Sequence, residues 1–139
     1  MQTGEKRSVA GAYNMQCWPH GVAVVINNEE FRKHKDREGT DVDEKNLVQV
    51  LCHLGYIVEV YRNCTAEKIV EIMEENKLRD HWSYDSFICC ILSHGKMGQI
   101  YGSDSVIVSL DDVTAKLSGA SCRSLAAKPK MFFLQGLFK

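Results

Sequence analysis

The sequence predicts a single α/β domain with a mainly parallel sheet, and three observations carry that prediction. Short β-branched runs alternate along the chain with segments whose apolar residues recur at helical spacing, the order expected of βαβ units. One run, F-I-C-C-I-L from Phe87 to Leu92, is apolar without interruption, as a parallel strand covered on both faces requires. The 139 residues, 45% apolar and 25% charged, suit one compact core.

The elements follow in order. Residues 1–15 are polar and dotted with glycine and read as a linker that lays Tyr13 and Met15 on a domain spanning residues 16–139. Gly21 to Asn28, G-V-A-V-V-I-N-N, is a buried first strand ended by two turn-prone asparagines. The charged segment from Glu29 to Thr40 has no periodicity and is a loop at that strand's carboxyl end. Thr40 or Asp41 can cap a helix whose stripe is Val42, Leu47, Val50, Leu51 and Leu54, with Gly55 as its stop. Tyr56 to Tyr61 is a second strand, and Thr65 caps a helix with Ile69, Ile72, Met73 and Leu78 on its apolar face. The central strand, Ser86 to Leu92, runs into Ser93-His94-Gly95. Two alternating runs around G-S-D-S form a small hairpin. Ser109 caps a further helix ending at Gly119, and Met131 to Leu134 is the fourth strand.

Composition excludes several classes of partner. With 17 basic and 18 acidic residues and a net charge of −1, nothing recommends nucleic acid or an anionic membrane surface. No apolar run reaches the length of a spanning helix, and the first dozen residues lack the apolar core of a signal peptide, so a cytoplasmic protein is expected. Six cysteines in a chain without an export signal, most of them inside apolar segments, read as reduced and mostly buried. Cys17 and His20 are the one short-spaced pair that could begin a zinc site, and no second pair answers it, so neither metal nor cofactor is expected. Asn63-Cys64-Thr65 matches a glycosylation acceptor, which has no meaning in a cytosolic chain.

Catalytic groups in open α/β sheets gather at the carboxyl ends of the strands, where His94 emerges. Taken alone, S-H-G fits a catalytic histidine and a turn histidine equally. If the third and fourth strands are neighbours, the residues after Leu134 end beside His94, at the place for a nucleophile. The sequence offers Gln135, Gly136, Leu137, Phe138 and Lys139 there, with no serine, threonine or cysteine among them. The βα alternation also permits a flavodoxin-like nucleotide site, but a phosphate loop needs glycines, and this one opens with Glu29 and Glu30.

From about Tyr13 to Gln135 the chain resembles the large-subunit region of the caspases, cysteine endopeptidases that cleave after aspartate, nearest the initiator branch of caspase eight. The resemblance rests on Y-N-M, I-N-N, D-R-E-G-T-D-V-D-E-K-N-L, F-I-C-C-I-L-S-H-G, I-Y-G-S-D and K-P-K-M-F-F-L-Q. It implies a three-layer sandwich, left incomplete because the small subunit is absent. His94 matches the catalytic histidine and Gly95 the glycine whose N–H helps hold the oxyanion. Arg37 matches the arginine that grips the substrate aspartate, Gln135 the glutamine lining the same pocket, and Lys35 the residue whose carbonyl contacts the histidine. A guanidinium fork suits a carboxylate through two parallel charged hydrogen bonds. Without the resemblance, Arg37 reads as a solvated loop arginine.

The chain departs from the family at its signature. The pattern Q-A-C-x-G requires cysteine two residues after Gln135, where this chain has Leu137, at a distance from His94 compatible with the family spacing of about 50 residues. Leucine forms no thiolate, so the acyl-enzyme step lacks a nucleophile. Cys89 and Cys90 lie within a strand as structural thiols, and Cys122 precedes the fourth strand at its wrong end. The resemblance therefore implies protein substrates carrying aspartate for the family, and for this chain a catalytically silent, truncated or alternatively terminated form. The alternative is a non-catalytic decoy that binds procaspases, adaptors or a small-subunit partner through an open sheet edge.

Overall fold

The computed structural model describes Tyr13 and residues 15–136, so the first twelve residues, Asn14 and the stretch from Leu137 to Lys139 lie outside the described residues. The β-branched runs become β1 (Gly21–Asn27) and β2 (Tyr56–Arg62), and the unbroken apolar run becomes β3 (Ser86–Leu92). After His94 come three short strands, β4 (Gly95–Lys96), β5 (Gln99–Tyr101) and β6 (Ile107–Ser109), and last β7 (Lys130–Gln135). The helices are α1 (Thr40–His53), α2 (Ala66–Leu78) and α3 (Leu110–Ala115), with a short 3-10 helix at Arg123–Leu125 that the sequence reading did not include.

The main sheet has the order β2-β1-β3-β7, and every neighbouring pair is parallel, as the βα alternation predicted. The expected adjacency of the third and fourth long strands holds, with Leu92 opposite Gln135. Beside it lies a three-stranded antiparallel sheet, β4-β5-β6, where a two-stranded hairpin was expected; Gly95 and Lys96 add the extra strand by pairing with Ile100 and Gln99.

Alternate residues of the two central strands serve two separate cores, which makes the domain three-layered. Val22, Val24 and Ile26 of β1, with Phe87, Cys89 and Ile91 of β3, pack with Ile69, Ile72 and Met73 of α2 and Val113 of α3. Ala23, Val25, Ile88, Cys90 and Leu92 face the other way, toward Leu47 and Leu51 of α1. Each fully buried aliphatic side chain of this kind contributes about 1.5–3 kcal/mol.

Thr65 caps α2 as expected, its hydroxyl accepting from the amide of Lys68 at 3.1 Å. Leu78 does not join the apolar face; it is exposed, and the buried Asn76 takes the inward position by donating its side-chain amide to the Ile72 carbonyl. For α1 the expected cap is replaced by Gly39, left-handed at φ 75°, with Thr40 already inside the helix. Its stop at Gly55 holds, at φ 92°, and the Trp18 ring occupies the space a side chain there would need. The predicted stripe of α1 is corrected more deeply. The inward face runs Thr40, Glu44, Leu47, Leu51, while Val42, Val50 and Leu54 are exposed.

The α3 helix ends at Ala115, short of Gly119, because the amides of Leu117 and Ser118 bond three residues back and tighten the turn. Neither Tyr13 nor Met15 is buried; just beyond them the Cys17 amide donates to Asp85.

Candidate functional site

His94 leaves the carboxyl end of β3 half-buried, with its Nε2 2.8 Å from the carbonyl oxygen of Lys35. A carbonyl only accepts, so Nε2 carries a proton and the neutral ring keeps its lone pair on Nδ1. The Phe31 ring, centred 4.7 Å from the imidazole, fixes the ring plane from the loop side. A cavity of about 330 Å³ opens in front of His94, walled by Lys35, Gly95 and Tyr101 among others. The arrangement provides an oriented base beside an open space.

The loop between β1 and α1 supplies Lys35 and Arg37, and it is held far more tightly than its charged, aperiodic sequence suggested. Asn63, in a left-handed conformation at φ 51°, turns its side-chain oxygen to the amides of both Glu29 and Glu30 at 3.0 Å. Ser105 accepts from the Lys33 amide and bonds His34 Nδ1, each at 2.9 Å. The Arg37 amide donates back to the Glu29 carbonyl at 2.8 Å and closes the loop.

Arg37 is half-buried, and one terminal nitrogen of its guanidinium donates to Asn27 Oδ1 at 3.1 Å and to the Asn28 carbonyl at 2.9 Å. Burial pulls its pKa below the ordinary arginine value, while Asp43 and Glu29 oppose the shift; the group stays cationic. Neither acidic residue hydrogen-bonds the guanidinium, so among the described residues its remaining N–H groups have no protein acceptor.

Strand register brings these parts to one edge. Arg62, Asn27, Leu92 and Gln135 form the last row across the sheet, at the carboxyl ends of all four parallel strands. His94 extends from this row, Arg37 bonds to it through Asn27, and the Gln135 carbonyl accepts from the Ser93 amide at 2.9 Å. Gly95 follows His94 into β4 and lies in the cavity wall. The sequence-predicted residues His94, Gly95, Arg37 and Gln135 thus share one edge, and Leu137 lies outside the described residues.

The asparagines expected to end the first strand as a turn are buried instead. Asn28 accepts from the Cys64 amide at 2.7 Å and donates to the Tyr101 carbonyl at 3.2 Å and to Ser93 Oγ at 3.4 Å. Asn27 donates to Glu44 Oε1 at 3.2 Å, and Glu44 pairs through both oxygens with Arg62. The Arg62 hydrogen bond holds the Glu44 carboxyl below its ordinary range despite burial. Sequence reasoning missed Asn27, Asn28, Glu44, Arg62 and Asn63; the only available signal was two adjacent asparagines ending an apolar strand.

Cys89 and Cys90 face opposite cores, as alternation along a strand requires. Burial raises the Cys89 thiol far above its ordinary range and pushes Cys90 up to about 11, leaving about one thiolate in ten thousand at neutral pH. Cys122 is buried beside Ser124. Among the described residues no three His, Cys, Asp or Glu side chains gather as a metal would require, and no helix is long and apolar enough to cross a membrane.

Comparison with known proteins places the chain among the caspases. The chain is 41% identical to Caspase-8 of Mus musculus over 96% of its length, 34% identical to Caspase-10 of Homo sapiens over 96%, and 40% identical to Caspase-3 of Mus musculus over 89%. It spans 30%, 26% and 46% of those three proteins respectively. The Caspase domain family profile matches residues 20–137, nearly all of the described structure, and the chain belongs to that family.

Proposed function

We propose that this chain is the part of a caspase that binds a substrate aspartate and carries the general base, and that it does not by itself cleave peptides. The observation that carries the reading is the shared sheet edge. There the half-buried Arg37, with guanidinium N–H groups to spare and tied to the strand end through Asn27, and His94, two residues past the end of β3 with Nε2 committed to Lys35, are gathered at the carboxyl end of the sheet. A carboxylate entering beside Arg37 would meet charge-assisted donors, and its peptide bond would lie toward His94. In this assignment His94 Nδ1 is the base, Gly95 N–H an oxyanion donor, and Gln135 a wall of the aspartate pocket.

Turnover needs a nucleophile that His94 can deprotonate. The residue two after Gln135 is Leu137, and the thiols of Cys89 and Cys90 are buried in the two cores with raised pKa values. Hydrolysis of a fluorogenic aspartyl peptide by the purified chain is expected to stay at buffer background. Turnover that disappears in His94→Ala would overturn the silent reading. Binding is tested separately, by NMR titration with an acetylated, amidated tripeptide ending in aspartate and with its asparagine counterpart; equal shifts from both would remove the role assigned to Arg37.

A second reading, a non-catalytic partner of other caspase chains, is favoured by one observation. Among the described residues β7 is an edge strand, and its exposed Phe133 and Leu134 border an apolar groove of about 500 Å³ that reaches α1. An open strand with apolar residues offers backbone pairing and a buried contact at once. Failure of purified caspase chains to co-sediment with this protein would dispose of it.

A further inference from the structure

Glu44 is a carboxylate only 6% exposed on the inward face of α1, where an apolar residue would be cheaper to bury. Its partner Arg62 has a side chain 64% exposed, so an ion pair between them could form at the surface without burying either charge. The burial has a second result. A carboxylate only accepts, so Asn27 must turn its NH₂ toward Glu44 Oε1, a contact of 3.2 Å. The Asn27 oxygen then faces the other way, where it accepts from Arg37 at 3.1 Å. With the amide reversed, NH₂ would face guanidinium, donor against donor, and the Asn27 oxygen would face a carboxylate. Glu44, with the Thr40 carbonyl 3.5 Å from the same NH₂, therefore allows one orientation of Asn27, and that orientation, together with the Asn28 carbonyl, holds one nitrogen of Arg37.

We infer that Glu44 and Asn27 are positioning residues: this relay fixes one end of the Arg37 guanidinium and aims its unbonded N–H groups at a carboxylate ligand. The inference deepens the reading given above, and rests on it for the ligand alone. Arg37 would enter the bound state already ordered, which spares the rotamer entropy that a free surface arginine loses on binding. The assignment separates two roles for Glu44, because acceptance from Asn27 needs only an oxygen while the pair with Arg62 needs the charge.

Two substitutions in the full chain test this. Glu44→Ala removes both roles. Glu44→Gln removes the charge but keeps an oxygen that Asn27 can donate to. NMR relaxation of the Arg37 Nε–Hε group reports its order without any ligand, and titration with the amidated aspartyl tripeptide reports affinity. In Glu44→Ala the Arg37 side chain, left with the Asn28 carbonyl alone, is expected to become measurably more mobile and the affinity to fall about tenfold. In Glu44→Gln the order is expected to be retained and the affinity to stay within about threefold. Unchanged Arg37 order in Glu44→Ala would overturn the inference. Equal loss of order in the two variants would also overturn it, because the ion pair alone would then be responsible. If the unmodified chain gives no selective response to aspartate, the carboxylate reading fails, and the Arg37 order in the two variants still decides the relay.

Discussion

Replacing Asn28 is the sharpest test of how the strand ends are tied together. Its side chain is fully buried and reaches three separate segments: the β2–α2 turn through Cys64, the end of β3 through Ser93, and the small sheet through Tyr101. Asn28→Ala leaves the Cys64 amide without its acceptor in a buried place, a loss of about 1–3 kcal/mol, and removes donors to Tyr101 and Ser93 worth about 1 kcal/mol together. The Tyr101 carbonyl keeps Ser93 Oγ at 2.7 Å, so it is not orphaned. The sum, about 2–4 kcal/mol, corresponds to a fall in melting temperature of about 8–15 °C for a chain of this length. Asn28→Asp sharpens the test. One carboxylate oxygen can still accept from Cys64, but the other faces a carbonyl, so the folded state favours the protonated acid and raises its pKa above the unfolded value of about 3.9. A raised folded pKa gives stability that is complete below that unfolded value and is lost as pH rises through the folded one. Thermal unfolding followed by circular dichroism between about pH 4 and 7 should therefore show the Asn28→Asp deficit, relative to the unmodified chain, growing with pH. A change below about 1 kcal/mol in Asn28→Ala, or a deficit in Asn28→Asp that does not depend on pH, would refute the role given to this side chain.

His81 predicts a second pH effect. Burial, with Arg79 and Lys128 nearby, lowers its pKa against the opposing Asn76 carbonyl and Asp80, and its Nδ1 has no hydrogen-bond partner among the described residues. The unfolded chain takes up this proton first, so the stability is complete above about pH 6.5 and falls as pH drops toward the lower folded value. Denaturant titrations should show that slope, and His81→Leu should flatten it. Gly21→Ala is expected to cost about 1–3 kcal/mol by the same measurement, because its new methyl would sit 2.0 Å from the Ser86 carbonyl oxygen in the neighbouring strand. Phe133 is 55% exposed on the edge strand, so sedimentation of the unmodified chain should show association rising with concentration, and Phe133→Lys should suppress it without lowering the melting temperature.

The apolar framework was legible because burial and periodicity carry the same information there. The strand from Ser86 to Leu92 was read with its observed ends, and Gly55 and Thr65 were placed correctly, since a glycine in left-handed backbone and a hydroxyl at a helix start each have one local explanation. His94, Gly95, Arg37 and Gln135 were named from motif resemblance, and the register that brings them to one edge follows from parallel pairing of β1, β3 and β7. The polar residues that organise this edge were not legible. Asn27 and Asn28 look like turn residues in any local window, because what buries them comes from residues as distant as Tyr101.

The misreading of α1 and the oversight of Glu44 have one cause. Counting only apolar residues adds Val42, Val50 and Leu54 to Leu47 and Leu51 as the inner face, and a glutamate at position 44 then counts as solvent-facing. Once Glu44 is turned inward to meet Asn27 and Arg62, helical geometry fixes every other residue. Thr40, Leu47 and Leu51 fall within about 60° of it, while Val50 points about 120° away and Val42 about 160°. That is the observed pattern, with Leu51 buried and Val42 and Val50 exposed. The polar contact at the strand end therefore sets the rotation of the helix, and the apolar stripe accommodates to it. It follows that Glu44 serves two structural purposes, holding Asn27 for Arg37 and holding α1 in phase. Only a readout on Arg37 itself can separate them.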